Sequence, residues 1–421
     1  MTRGAGVGRH KQDRRPTNPR AAAIDVVRRL QEAGFVALFN GGCVRDMLMR
    51  LRPKDYDVAT SATPDQVAGL FRQTLKVGVK FGVVLVRVGR FSIEVATFRT
   101  DLAYADGRRP VGVAFSNPRE DARRRDFTIN GMFYDPIADQ VQDHVGGRAD
   151  LESHIIRAIG EPEQRFAEDH LRLLRAARFA ARLGFEIEPA TWGAMCHHAA
   201  EITRISPERI RMELEMILSH PSRASGVEIL QRAGILRHLW PGANLLDGDG
   251  ERIVAVLAAL PESARYELGL AGLLHPLSRK QLNKACRALR CSNETQAVVG
   301  WLVDRQDVPA DPGTVTLADL KRLMAHEAFD ELLALFVAKR TANGEDLKPY
   351  DEIRTRAARI PAGDVTPPPL LTGDDLMEMG LPAGPLYKRI LDRIYVAQLN
   401  EEVSDRAVAI AMARRLMETR D

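Results

Sequence analysis

The sequence predicts an α+β protein: a small mixed α/β head, built on about five strands, followed by an all-helical neck, body and tail. Three observations predict it. Segments that alternate like strands, rich in β-branched and aromatic residues, lie only within the first 135 or so residues. Beyond about residue 150 one helix-period pattern follows another. Between the first apolar run and the next helical pattern sits a glycine pair, Gly41-Gly42, and Asp55-Tyr56-Asp57 follows it closely. The length of 421 residues allows two to four domains. A hydrophobic share of 45% with 28% charge reads as soluble and globular. No apolar run reaches the roughly 18 residues of a membrane span, and no segment has the order of a signal peptide. Cys43, Cys196, Cys286 and Cys291 lack metal-ligand spacing and read as reduced thiols of a cytoplasmic protein.

Residues 1–20 carry six basic residues and one acidic residue, with Gly and Pro and no apolar period. They predict a disordered basic arm. The head, residues 21–150, begins with a helix over 21–33 and a strand over 35–39. A short helix over 44–49, a strand over 55–59 and a helix over 64–71 follow. Thr63-Pro64-Asp65 supplies a cap and a first-turn proline for the last of these. Strands are expected at 82–88, 91–98 and 127–134. The neck, 151–220, opens with a long helix over 166–183 that stops at Gly184. The body, 221–360, reads as successive helices. Pro361-Ala362-Gly363 and Pro367-Pro368-Pro369 break the chain before a helical tail, 361–421. Residues 1–150 hold 25 Lys+Arg against 17 Asp+Glu, whereas the remainder is net −4. Global charge therefore does not identify a nucleic-acid binder, and the sites must carry the functional reading.

The glycine pair permits a tight turn and close backbone approach to an anion, with Gly42 and Arg45 at the start of the helix. If 55–59 is a strand, alternation puts Asp55 and Asp57 on one face. Two carboxylates so close repel unless a cation lies between them, and hard ions such as Mg²⁺ take oxygen ligands. In Ser92-Ile93-Glu94-Val95 the same alternation buries Ile93 and Val95 and turns Glu94 outward. Asp106-Gly107-Arg108-Arg109-Pro110 reads as a charged, glycine-hinged loop. Asp169, Arg172, Arg175 and Arg178, spaced by three, fan along a predicted helix. Cytosine and adenine share an exocyclic amine beside an unprotonated ring nitrogen. A carboxylate accepts from that amine and a guanidinium donates to that nitrogen, so an Asp/Arg pair admits C and A and rejects U and G.

Together these segments resemble the DNA polymerase β superfamily. The closer resemblance is to its class II (bacterial-type) CCA-adding tRNA nucleotidyltransferases and the related bacterial poly(A) polymerases. It covers residues 35–185 most fully, including Arg124-Arg125-Asp126-Phe127-Thr128-Ile129-Asn130, and residues 370–400 less fully. It implies a nucleotidyltransferase head in which Asp55, Asp57 and Glu94 are catalytic and Asp55 and Asp57 hold Mg²⁺. It implies nucleotide contacts from Gly42, Arg45, Arg125, Asp169, Arg172, Arg175 and Arg178, with Asp126 bracing the site. It assigns the segment with Asp106, Arg108 and Arg109 to a flexible loop that helps the enzyme change from adding C to adding A. It assigns Gly373 and Gly384 to a tRNA-contacting tail. The implied partners are tRNA, CTP and ATP. The expected activity is untemplated addition of the 3′-terminal CCA. The alternatives are a poly(A) polymerase, a partial enzyme adding only CC or only A, and a non-catalytic RNA-binding protein that kept the fold. Two residues depart from the family pattern: Asn40, where an apolar residue is expected before the glycines, and His170 beside the base-reading pair. Cys196-His197-His198 reads as helix surface.

Overall fold

The computed structural model describes residues 16–75, 82–101, 113–240, 250–381 and 384–418. The chain forms two compact units, one from Met1–Ile210 with Arg232–Leu239, the other from Arg211–Gln231 with Trp240–Asp421.

The first unit is built on a seven-stranded sheet, where about five strands are expected from sequence. Helix α1 (Pro19–Glu32) leads into β1 (Ala37–Asn40), α2 (Gly42–Leu48), β2 (Val58–Thr60) and α3 (Pro64–Leu70). Next come β3 (Thr74–Leu75), β4 (Val83–Val88), β5 (Phe91–Thr97), β6 (Arg99–Asp101), β7 (Val113–Phe115) and α4 (Pro118–Arg123). After a short 3₁₀ turn over Thr128–Asn130 come β8 (Phe133–Asp135) and β9 (Gln140–Gln142). The sheet order is β3-β4-β5-β2-β1-β8-β9, and β6 and β7 form a separate antiparallel ribbon. The two additional strands, β3 and β9, are two and three residues long, too short and, in Gln140–Gln142, too polar to show a period. The expected strand over 127–134 is only its last part. Thr128 donates to Asp150, and Asn130 donates to Asp126; these local side-chain bonds hold a turn there instead of a ladder.

Helix α1 lays Ala22, Ala23, Val26, Val27 and Leu30 against the sheet, all fully buried. Each of the larger side chains contributes about 2 kcal/mol by leaving water. Thr63 and Gln66 form a complete capping box at α3. On β5, Ile93, Val95 and Thr97 are buried while Ser92 and Glu94 face out, as alternation requires.

The neck differs from its expected form. The helix predicted over 166–183 is two helices, α6 (Pro162–Glu168) and α7 (Arg172–Leu183), after α5 (Gly147–Glu152) and the short strand β10 (Ile155–Ile156). Asp169 is extended at φ −146°, ψ 100°. Its carboxylate accepts from the Leu171 amide at 3.2 Å, and its carbonyl accepts from the Arg172 amide at 3.0 Å. An aspartate competing for backbone donors in this way starts a new helix instead of continuing the old one. Gly184 ends α7 in the left-handed region, at φ 68°. Strand β11 (Glu186–Ile187) and helix α8 (Pro189–His197) follow.

The second unit is helical. Helix Tyr266–Leu274 is not marked by the sequence pattern, because eight of its nine residues are buried and no polar face gives it a period. The tail has its own core of Leu371, Leu376, Ile390, Ile394, Ala397, Val403, Ala409 and Ala413. No described helix is long and apolar enough to cross a membrane.

Candidate active site

Strands β2 and β5 run parallel with Val58 opposite Val95. One step back in that register puts Asp57 beside Glu94. The expected strand over 55–59 is therefore corrected: Asp55 and Asp57 precede β2 in extended chain, and only Val58 to Thr60 pair. The carboxylates nevertheless converge. Burial, then the charges of Glu94 and Asp55, push the Asp57 pKa up to about 6 against the opposing charge of Arg125. A half-buried carboxyl beside two others is the electrostatic situation that a divalent cation relieves, and an all-oxygen donor set fits a hard ion.

Asp57 also opens onto a cavity of 490 Å³ in the same unit. Six arginines line it, Arg45, Arg99, Arg124, Arg125, Arg172 and Arg175, against Asp57, Asp126 and Asp169. That excess of positive charge suits a polyanion such as a triphosphate. Gly41 and Gly42 form part of the wall. Gly41 has φ 70°, and a Cβ there would stand 3.2 Å from Arg125 Nη1, so glycine serves both the turn and the approach.

Every arginine whose bonds are resolved is held from behind. Arg45 donates through Nη1 to Asn130 Oδ1 at 2.7 Å and through Nη2 to Asp46 at 2.6 Å. Arg125 donates through Nε and Nη2 to Asp121 Oδ2 at 3.1 and 2.8 Å, and through Nη2 to Asn40 Oδ1 at 2.8 Å. Burial alone would raise the Asp121 pKa, but Arg125 and Arg124 outweigh it and hold the carboxyl below the usual range. Asp126 is fully enclosed; burial would raise it, but the charge and bonds of Arg175, at 2.5 and 2.8 Å, bring it down to about 2. Arg172 donates to the Arg165 carbonyl at 2.8 Å, Glu168 at 3.0 Å and the Arg124 carbonyl at 3.1 Å. Asp169 Oδ2 accepts from Arg209 at 3.0 Å. Asp169 and Arg172 therefore both line the cavity, each braced by other residues, and Asp169 stands at the joint before α7, off the helical spiral expected for it.

Of the residues marked by sequence, Gly42, Arg45, Asp57, Arg125, Asp169, Arg172 and Arg175 meet in this one cavity. Asp55 and Glu94 lie against Asp57. Arg178 does not line the cavity; it is buried with its guanidinium 4.3 Å from the centre of the Phe179 ring, a residue that does. Asp106, Arg108 and Arg109 lie outside the described residues. Gly373 and Gly384 belong to the second unit. Gly373 opens helix Gly373–Glu378, where the Asp375 carboxylate already accepts from the Thr372 amide, so one of the donors expected to meet a phosphate is engaged internally. Gly384 precedes helix Pro385–Leu399 without a side-chain cap. Sequence reading missed Arg99, Arg209 and the role of Asn40. The displaced polar residue at 40 was the one available signal.

Comparison with known proteins fits this geometry. Residues 37–157 match a family described as the poly A polymerase head domain, and residues 184–246 match a family described as a probable RNA and SrmB-binding site of polymerase A. A CCA-adding enzyme of Geobacillus thermodenitrificans is 35% identical over 399 residues, 92% of this chain and 94% of that protein. This chain belongs to the CCA-adding enzyme family. A second member, from Geobacillus stearothermophilus, is 34% identical over 400 residues, again 92% of this chain and 94% of that protein. The crystal structure of the Bacillus stearothermophilus CCA-adding enzyme in complex with CTP superposes with a TM-score of 0.79 at 30% identity, covering 96% of this chain and 99% of that one. The two matched family segments leave 158–183 between them, and that gap holds Asp169, Arg172 and Arg175.

Proposed function

We propose that this chain adds the 3′-terminal CCA to tRNA from CTP and ATP, without a nucleic-acid template, in the cytoplasm. The observation that carries the reading is the joining of the Asp55, Asp57 and Glu94 carboxylates to an arginine-lined cavity that also contains Asp169 and Arg172. Arg45, Arg125 and Arg175 bind and orient the triphosphate. Their bracing partners fix the guanidinium planes before the nucleotide arrives, so little is lost in ordering them. Asp169 accepts from the exocyclic amine of C or A and Arg172 donates to the adjacent ring nitrogen. U and G leave both groups mispaired and are rejected. The tRNA 3′-hydroxyl oxygen attacks the α-phosphorus, the bond to the β-phosphate oxygen breaks, and pyrophosphate leaves. The hydroxyl proton passes to the carboxylate cluster. Asp55 and Asp57, aided by Glu94, would hold Mg²⁺, which supplies Lewis-acid stabilisation of the attacking and leaving oxygens.

The match to a poly A polymerase head supports a second reading, extension of RNA ends with adenosine alone. One gel assay separates them. Purified protein is given tRNA transcripts lacking one, two or three 3′ nucleotides, or unstructured RNA, with each nucleoside triphosphate in turn. Completion of CCA on tRNA and no further growth supports the first reading. Long adenosine tracts on either RNA would establish the second. Arrest after CC, or A added only to tRNA already ending in CC, would mark a partial enzyme.

A further inference from the structure

Helix α8 ends in Cys196-His197-His198. Neighbouring residues on a helix point about 100° apart, so adjacent histidines do not ordinarily share a partner. Here the helix stops between them: His198 is the capping residue, at φ −85°, ψ 5°. Both rings then turn onto one atom of α6. His197 Nδ1 and His198 Nε2 each lie 2.9 Å from Glu163 Oε2. The three donor atoms all fall within 4.8 Å of one another. A third imidazole stands behind them. His170 is 4% exposed, and its ring centre is 6.2 Å from that of His198.

We propose that Glu163, His197 and His198 are ligands of a first-row divalent transition ion of the Zn²⁺ type. Two imidazoles with one carboxylate is a borderline donor set that suits Zn²⁺ or Co²⁺ and not the oxygen-seeking Mg²⁺. The ion would join α6 to α8. Helix α6 carries Glu168 and Arg165, the two groups on that helix to which Arg172 is bonded, so the ion would stiffen the mounting of a residue in the nucleotide cavity.

The test is Zn²⁺ titration by calorimetry in excess Mg²⁺, which occupies oxygen-rich sites without competing for imidazole. Co²⁺ serves as the spectroscopic probe. Glu163 and His197 side chains are 56% and 74% exposed, so Glu163→Gln and His197→Ala should fold normally, checked by an unchanged metal-free Tm. The expected result is one saturable ion per chain, a Tm raised by Zn²⁺, cobalt d–d bands without a thiolate charge-transfer band, and affinity reduced roughly tenfold or more in each variant. Three results would overturn the proposal: no saturable Zn²⁺ binding to the intact protein, equal binding by both variants, or a thiolate band showing that cysteine holds the ion.

Discussion

Asn40 and Arg125 meet across 85 residues of chain, with Asn40 Oδ1 accepting from Arg125 Nη2 at 2.8 Å inside the arginine-lined cavity. Asn40 is 7% exposed and ends β1, so its amide is fixed by the sheet. An apolar residue here would leave Arg125 held by Asp121, the Asn130 carbonyl and the Phe133 ring. Hydrogen bonds to charged groups contribute about 1.5–3 kcal/mol. Asn40→Val should raise KM for CTP and ATP alike by roughly tenfold, with a smaller fall in kcat and a nearly unchanged Tm. Steady-state kinetics with both nucleotides checks this. An unchanged KM would show that the remaining contacts position Arg125 without Asn40.

Removing a carboxylate from the Asp57 cluster should act on chemistry and not on folding. Asp55→Ala or Asp57→Ala is expected to reduce nucleotide addition by at least about 10³ while tRNA binding persists. Because Asp57 titrates near pH 6 without metal, a proton competes with the cation below that pH. Mg²⁺ should therefore raise Tm clearly well above pH 6 and weakly well below it, and should not raise it in Asp57→Ala. Thermal shift over a Mg²⁺ and pH matrix measures this. Equal Mg²⁺ stabilisation of the variant and the parent would place the ion elsewhere.

Asp126 and Arg175 predict a different pH dependence. The folded pKa of Asp126, about 2, lies below its ordinary value of 3.8. The unfolded chain therefore binds more protons in that interval, and stability falls as pH falls through it. The contribution, roughly 2 kcal/mol, is complete above about pH 4 and is lost toward pH 2. Asp126→Asn should destabilise the protein by about 2–3 kcal/mol near neutrality, the lower end for a buried pair because Arg175 keeps some contact with water. The gap between variant and parent should close in acid. Denaturant unfolding at several pH values tests it; a gap independent of pH would assign the effect to packing.

Sequence and structure agree most closely where a short run forces a geometry. The Gly41-Gly42 turn, the Thr63–Gln66 cap, the Glu94 alternation and the Gly184 stop are all decided within a few residues, which is the range that pattern reading covers. Glu94 comes to Asp57 through the register of the neighbouring strand, and alternation within one strand does not encode that meeting. Helix Tyr266–Leu274 is invisible to periodicity because it is buried nearly all round. The break at Asp169 looks helical in sequence, since only the competition between its side chain and the α-helical bonds reveals it. Bracing contacts such as Asn40 to Arg125 and Arg209 to Asp169 join residues 85 and 40 positions apart, and no local pattern encodes them.

Base selection should follow the bracing as well as the readers. Asp169→Ala or Arg172→Ala should relax discrimination against UTP and GTP, because the pairing that rejects them is gone. Arg209 holds Asp169 at 3.0 Å from outside the cavity lining. Arg209→Ala should therefore lower C and A selectivity in the same direction but by less, roughly threefold to tenfold. Arg178, outside the lining, should affect all nucleotides alike. Competition between radiolabelled nucleotides on one tRNA measures this. Full selectivity in an Asp169 or Arg172 variant that has lost activity would remove base reading from this pair.

The change from C to A addition should depend on the segment joined to β6 and β7. Those strands pair Arg99 with Phe115 and Asp101 with Val113, and Arg99 lines the arginine-rich cavity. Residues 102–112 join the two strands in sequence. In sequence, Asp106, Gly107, Arg108, Arg109 and Pro110 combine charge with glycine and proline. Adenine is larger than cytosine, so a cavity fitted to the second must rearrange to take the first. Deleting 104–110 should leave the Asp57 cluster intact and two cytidines added to a truncated tRNA, while the terminal adenosine is missing. Single-nucleotide gel resolution reads the outcome directly. Loss of C addition along with A would mean that the segment supports the catalytic centre itself. Normal completion of CCA would mean that the ribbon carries no switch.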